Sequence, residues 1–297
     1  MTDFEPITGR YITVEIAGEP NRIYFEESGE GIPVVCLHTA GADSRQYRHL
    51  QTDPEVLASY RVIAFDLPWH GKSLPPGKWW EREYLLTAEL YVETVMALIH
   101  ALELDQPLVV GCSMAGSLVL ELARLHGAEL GGVVGFSGAA KVNGRFHDWP
   151  LMPDINSNQV VPSWTYGLMA PQSPTEAKKE VWWMYSQGGP GIYRGDTYFY
   201  SALDLRGKEE QIDTSVCPVY LYTGEYDYAC TPEETEETVF AVPGAKGGRM
   251  PEIGHFPISE NYALCREYLW PALNELKSSR AARTSPQQSI EHTVRTS

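Results

Sequence analysis

The chain is poor in what several functional classes require. Basic residues are scarce: 23 Lys and Arg stand against 39 Asp and Glu, a formal net charge of −16 at pH 7. Nucleic-acid binding needs clustered cations that neutralise phosphates, so no nucleic-acid partner is expected. The same balance disfavours anionic membrane surfaces and reads as a solvated acidic exterior. No run approaches the roughly 18 apolar residues needed to span a bilayer. Met1-Thr2-Asp3-Phe4-Glu5 has neither a basic region nor an apolar stretch, so no secretory leader is expected. Cysteines are few: Cys36, Cys112, Cys217, Cys230 and Cys265, an odd number without a C-x-x-C pair. That usage predicts free thiols in a reducing, cytoplasmic compartment rather than a disulfide framework. The histidines form no H-E-x-x-H pair, so neither a metal nor a cofactor is expected.

Apolar sequence is abundant. The 297 residues are 43% hydrophobic, enough for a sizeable core in one large α/β domain. Residues 34–37, 62–65, 108–110, 133–136 and 219–222 are short apolar runs without alternation, the pattern of parallel strands covered on both faces. Residues 11–16 and 22–26 predict a half-exposed hairpin. Leu90, Val95, Leu98, Ile99 and Leu102 repeat at helical spacing within 87–104, and Tyr262, Leu264, Tyr268, Leu269, Leu273 and Leu276 mark a last helix. Strands alternating with helices predict right-handed crossovers and a mostly parallel, doubly wound sheet. Beyond 276 polar residues dominate, and a disordered tail is expected over 277–297.

The most informative stretch is Gly111-Cys112-Ser113-Met114-Ala115-Gly116, which follows one apolar run and precedes a helical one. A serine between strand and helix fits a sharp turn of the G-x-S-x-G type, with Ala115 in the second glycine position. Such a turn needs small residues two before and two after the serine. It aims the hydroxyl at the positive end of the following helix, whose first N–H groups have no internal partners. An ordinary strand-to-helix turn is the competing reading. A serine hydroxyl is a weak nucleophile, so the catalytic reading requires a base and an orienting acid. Asp227 sits just past the 219–222 run, with Glu225 as its nearest competitor, and His255 lies in the loop Gly254-His255-Phe256-Pro257. Cys112 is read as a core residue, and His38 as a structural hydrogen-bonder rather than a base.

In the order Ser, Asp, His, and in three further segments, the chain resembles the α/β-hydrolase superfamily over most of its length. Val34-Val35-Cys36-Leu37-His38-Thr39-Ala40-Gly41 resembles the strand and His-Gly loop that supplies one oxyanion-hole N–H, with Thr39 in place of the usual Gly. Asp66-Leu67-Pro68-Trp69-His70-Gly71-Lys72-Ser73 resembles the family's D-x-x-G-x-G-x-S segment, and 254–257 resembles its histidine loop. The resemblance implies the α/β-hydrolase fold, with Ser113 as nucleophile and His255 as base. Asp227, which fits the family's G-x-x-D pattern, would be the orienting acid. The backbone N–H groups of Met114 and Ala40 would form the oxyanion hole. A small, largely apolar carboxylic ester, thioester or lactone is the implied substrate. The alternatives are a C–C bond hydrolase of ring-cleavage products and a non-catalytic ligand-binding protein on the same fold. Monomer and homo-oligomer both stay open.

Residues 139–207 break the strand–helix alternation and are dense in aromatics. The resemblance implies a helical cap there, inserted after the sixth strand, with 1–138 and 208–276 as the core. Trp182, Trp183 and Tyr185 are candidate roof residues of a substrate pocket, in competition with a role in the cap's own interior. A helix turns about 100° per residue, so Trp182 and Trp183 cannot face the same way. Arg194 is the candidate for binding a substrate carboxylate in the C–C hydrolase alternative. Gln187-Gly188-Gly189-Pro190-Gly191 reads as a hinge loop.

Overall fold

The structure, a computed structural model, describes residues 4–284. Strands β1 (Thr8–Ile16), β2 (Glu19–Ser28), β3 (Ile32–Leu37), β4 (Tyr60–Phe65), β5 (Leu108–Cys112), β6 (Gly132–Phe136), β7 (Val219–Gly224) and β8 (Lys246–Met250) form one sheet. Their order is β1-β2-β4-β3-β5-β6-β7-β8. The β1/β2 hairpin and the β2/β4 pair are antiparallel; the remaining pairs are parallel. The helices are α1 (Arg48–Gln51), α2 (Pro54–Leu57), α3 (Ala88–Ala101), α4 (Met114–His126), α5 (Ser157–Tyr166), α6 (Thr175–Tyr185), α7 (Ile192–Ala202), α8 (Pro232–Ala241), α9 (Pro257–Glu260) and α10 (Tyr262–Thr284).

The unbroken apolar strands follow from burial on both faces. Side chains alternate along a strand. Val34, Cys36, Val62, Ala64, Leu108, Val110 and Val134 therefore pack on one face with Leu269, Leu273 and Leu276 of α10. Val35, Leu37, Ile63, Phe65, Val109 and Val133 pack on the other with α3 and α4. Helix starts are set by side-chain caps: the Thr87 hydroxyl accepts from Leu90 N at the head of α3, and Thr231 with Glu234 forms a reciprocal box at α8. β8, Lys246-Gly247-Gly248-Arg249-Met250, has no apolar pattern. Gly247, at φ +135°, lies so close to β7 that a Cβ would fall 1.7 Å from the Leu221 carbonyl oxygen.

The parallel strands send their C-terminal loops to one end of the sheet, and the 139–207 insertion folds over them. An isolated antiparallel bridge between Lys141 and Asp204 closes its stem. Its helices α5, α6 and α7 do not enclose a separate core. Val161, Leu168, Met169, Val181, Met184 and Tyr185 instead pack with Ala42, Ala229 and Phe256 from three different core loops. Among the described residues no helix is long and apolar enough to cross a membrane.

One expectation is corrected. The segment from 277 does not leave the fold: α10 continues to Thr284. Its polar residues are anchored by side chains, which is why an apolar pattern is missing. Arg280 Nη2 donates to Asp105 Oδ2 at 2.7 Å, and Arg283 Nη2 donates to the Gly131 carbonyl at 2.8 Å. Residues 285–297 of the expected tail lie outside the described residues. Ending the chain at Leu276 should therefore cost about 1–2 kcal/mol, seen as a lower urea midpoint than that of a chain ending at Thr284.

Candidate active site

Ser113 stands between β5 and α4 at φ +61°, ψ −120°, a conformation that L-residues rarely adopt. The neighbouring glycines make that turn feasible. A Cβ on Gly111 would fall 2.3 Å from the Ala115 carbonyl oxygen, and one on Gly116 would fall 2.1 Å from that of Phe136. The Ser113 amide donates to Phe136 O at 2.8 Å, pinning the turn to the end of β6. Cys112 points into the core, where its thiol faces the His255 carbonyl at 3.5 Å. Burial pushes that thiol's pKa well up, so it stays protonated and unreactive.

The structure brings Ser113, His255 and Asp227 into one hydrogen-bonded row. His255 Nε2 lies 2.8 Å from Ser113 Oγ, and His255 Nδ1 lies 2.7 Å from Asp227 Oδ2. All three residues are buried. Asp227 Oδ1 accepts from the amides of Ala229 at 2.8 Å and Cys230 at 3.1 Å, so the carboxylate is held at both oxygens. Glu225, the competing acid, is exposed and accepts from the Glu252 amide instead.

In the loop after β3 one amide is free. Between 39 and 42, the Thr39 N–H donates to Gln46 Oε1 at 2.8 Å, that of Gly41 to Asp196 Oδ2 at 2.7 Å, and that of Ala42 to Thr39 O at 3.1 Å. The remaining amide is that of Ala40. Met114 opens α4, where the N–H has no intrahelical acceptor.

Two buried carboxylates support these loops, and sequence reading missed both. Glu260, fully buried, accepts from the amides of Gly254 at 2.7 Å and Phe256 at 3.0 Å, on either side of His255. It also accepts from the Ala170 amide at 3.0 Å and the Ser173 hydroxyl at 2.8 Å in the 139–207 insertion. Asp196 of α7, equally buried, accepts from Gly41 N, from His70 Nε2 at 2.8 Å and from the Tyr84 hydroxyl at 2.7 Å. Nothing in the local sequence marks either one: each is a single acid in an acidic chain, and its donors lie far along the chain.

The two histidines beside this loop carry different charge. His38 Nε2 accepts from the Leu67 amide at 3.1 Å, so Nδ1 holds the proton and donates to Thr39 O at 2.9 Å. Burial and the neighbouring His70 both lower its pKa, and it is neutral. His70 faces two acceptors, Pro68 O at 3.0 Å and Asp196 Oδ2, so both ring nitrogens must donate. Burial alone would lower its pKa, but the charge and hydrogen bond of Asp196 outweigh it, and the net shift is upward.

The cap candidates separate by face. On α6, Val181, Met184 and Tyr185 point inward. Trp182 is 38% exposed and Trp183 61% exposed, so neither roofs the site. The helical step that separates the two tryptophans turns both away from the buried face. Tyr185 does reach the site: its hydroxyl lies 3.4 Å from Thr39 Oγ1, and its ring packs on Phe256. Arg194 is not free to receive a substrate carboxylate. Its guanidinium donates to Glu83 at 2.6 Å and to Asp148 at 2.7 Å, and it covers the Phe146 ring.

The sequence model of the alpha/beta hydrolase family matches residues 34–267. Among curated proteins, the chain is 34% identical over 124 residues to the 2-hydroxy-6-oxo-6-phenylhexa-2,4-dienoate hydrolase of Delftia acidovorans, covering 40% of this chain and 41% of that one. It is 36% identical over 112 residues to the dihydrolipoyllysine-residue acetyltransferase component of the acetoin cleaving system of Pseudomonas putida, covering 37% of this chain and 28% of that one. The chain thus matches less than half the length of these relatives. The enol-lactonase from Burkholderia xenovorans LB400 superposes with a TM-score of 0.75 at 17% identity, over 90% of this chain and 100% of that one. A thermophilic esterase from Thermogutta terrifontis gives 0.74 at 18% identity, over 90% and 99%. At such identities these structures share the fold.

Replacing Glu260 by Ala strands its buried donors, each costing about 1–3 kcal/mol. Unfolding in urea should register a loss of several kcal/mol; a loss under about 1 kcal/mol would show that water replaces the carboxylate. The His70–Asp196 pair predicts a pH slope. A His whose pKa is raised by folding stabilises the fold below its unfolded pKa of about 6.5, and that contribution disappears as pH rises through the folded value. Tyr84, His38 and Asp66 face the same pair. The slope is therefore measured as the difference between wild type and His70→Gln. Melting temperature should fall more steeply from about pH 6.5 upward in the wild type. Parallel curves would mean that His70 does not carry the charge.

Proposed function

The chain belongs to the alpha/beta hydrolase family, and on that premise we propose that it is a serine hydrolase of a small, largely apolar carboxylic ester, thioester or lactone. The observation that carries the reading is the row Ser113 Oγ–His255 Nε2 and His255 Nδ1–Asp227 Oδ2, at 2.8 and 2.7 Å. Ser113 Oγ attacks the carbonyl carbon while its proton passes to His255 Nε2. Asp227 orients the ring and stabilises its charged form. The tetrahedral oxyanion is held by the N–H groups of Met114 and Ala40. His255 then gives the proton to the leaving oxygen or sulfur, and the acyl group stays on Ser113. Water, deprotonated by His255, attacks the acyl-enzyme and frees the acid.

The surroundings favour apolar substrates. Tyr185 and Phe256 pack against each other beside His255, and Tyr193 packs over Gly41. The cavity next to Gly41, lined by Pro150, Val161, Tyr185, Tyr193 and the glycines of the 188–191 loop, holds only about 10 Å³. That is about one water's worth of space. A reducing, cytoplasmic setting fits the five buried, unbridged cysteines.

The C–C hydrolase reading keeps one specific support. With Arg194 engaged, Arg145 is a cap cation whose guanidinium meets main-chain carbonyls, those of Asn143 and Tyr228, both at 3.4 Å, and no carboxylate among the described residues. Burial pushes the Tyr193 phenol up to about 12, and the charge of Arg145 opposes that shift. An Arg145→Ala variant that loses turnover of a dienoate acid but not of a neutral ester would favour this reading.

Ser113→Ala should lower kcat by about 10⁴-fold or more, and Asp227→Asn by about 10⁴-fold, with the melting curves unchanged. A fluorophosphonate adduct should map to Ser113. Retained p-nitrophenyl ester hydrolysis in Ser113→Ala would end the assignment. Tyr185→Ala removes apolar contact worth up to about 3 kcal/mol and should change KM and the preferred acyl size. Trp183→Ala should leave both unchanged.

A further inference from the structure

We propose that Glu260 is a positioning residue for His255, and that the cap completes its hold. The carboxylate and the Leu168 carbonyl together fix the backbone on both sides of the base. The proposal rests on the serine-hydrolase reading above.

The argument starts from the two torsions that flank the His255 Cα. Peptides are planar, so once the one before and the one after are fixed, the direction of the Cα–Cβ bond is set and only the side-chain torsions are left. The peptide joining Gly254 to His255 is held by its own N–H, which donates to Leu168 O at 3.0 Å. The peptide joining His255 to Phe256 is held at both its groups. The Phe256 N–H donates to Glu260 Oε2 at 3.0 Å, and the His255 carbonyl faces the Cys112 thiol at 3.5 Å. One peptide further back, the Gly254 N–H donates to Glu260 Oε1 at 2.7 Å, a charge-assisted bond like that from Phe256. Asp227, at Nδ1, takes up the freedom left to the ring. Phe256 is the residue before α9, and a side chain of a helix closing back on the amide before it is ordinary capping. The bond to Gly254 lies outside that pattern: it puts the same carboxylate on the far side of His255.

The other half of the hold comes from the insertion. Leu168, Ala170 and Ser173 lie in the connection between α5 and α6. The Ala170 amide at 3.0 Å and the Ser173 hydroxyl at 2.8 Å converge on Oε1, the oxygen that also takes Gly254. The contact is backbone on backbone: a Cβ on Gly254 would fall 2.5 Å from Leu168 O and 2.6 Å from Ala170 N. A connection that lifts away takes the acceptor of the His255 N–H with it, and two of the donors that hold Glu260. The aim of the base therefore depends on the docking of residues 168–173.

The test compares wild type, Glu260→Gln and Ser173→Ala in p-nitrophenyl ester kinetics and in the low-field proton signal of His255 Nδ1, which reports the bond to Asp227. Glu260→Gln keeps the volume but turns an NH2 group toward an N–H donor. It should lower kcat by about 10²-fold with KM within about two-fold of wild type, and should broaden or abolish the signal. Ser173→Ala, which removes one cap donor and leaves the carboxylate in place, should show a smaller kcat loss, again at unchanged KM. A carboxylate that only holds the fold together predicts a lower melting temperature with kcat and the His255 signal as in wild type. That result overturns the proposal, as does a loss confined to KM. If Glu260→Gln does not fold, Ser173→Ala decides alone, and wild-type kcat there refutes the proposal. If wild type neither turns over esters nor takes a fluorophosphonate at Ser113, the hydrolase reading falls. The His255 signal in the variants then decides by itself whether Glu260 holds the ring.

Discussion

Everything at this site depends on a serine forced into a backbone conformation that serine does not favour. The end of β5 must turn sharply enough to start α4 at once, and the space for that turn exists because glycines stand where other residues would collide. Gly111 lies against the Ala115 carbonyl, while Gly116 and Gly138 lie against each other across the start of α4. The strain is sustained by the surrounding sheet, in particular by the bond from the Ser113 amide to Phe136 on β6. Once Ser113 is held there, the loops after β3, β7 and β8 converge on it because parallel strands all end on the same side of the sheet.

Much of this convergence is legible in the linear sequence. Ser113, Asp227 and His255 each follow a strand or stand in a Gly-flanked loop, and the strands themselves are continuous apolar runs because both faces are covered. What resisted reading is the physics that has no period. β8 is two glycines among charged residues, built by close approach to β7 rather than by apolar burial. The last turns of α10 are held by arginines reaching to carbonyls and a carboxylate on distant loops. The tryptophans of α6 stand out in the sequence because they are large, yet bulk says nothing about which way a helix faces, and Tyr185, less conspicuous, is the one that reaches Thr39.

Glu260 and Asp196 illustrate the same limit from the polar side. A buried carboxylate is costly unless its acceptor capacity is met, and here it is met by amides on the histidine loop, on the oxyanion loop and in the insertion. The two acids run in opposite directions: one stands on the core and reaches the insertion, the other stands on the insertion and reaches the core. Each joins an active-site loop to the cap, so loop geometry and cap position are one mechanical system rather than two.

The insertion has no private interior. Its apolar cluster is finished by Ala42, Ala229 and Phe256, one from each of the loops after β3, β7 and β8. Lifting the cap therefore peels an oily lining off all three at once and wets it. A guest molecule seated there would stand in for that packing, and on the hydrolase reading proposed above an apolar substrate suits such a lining better than a polar one.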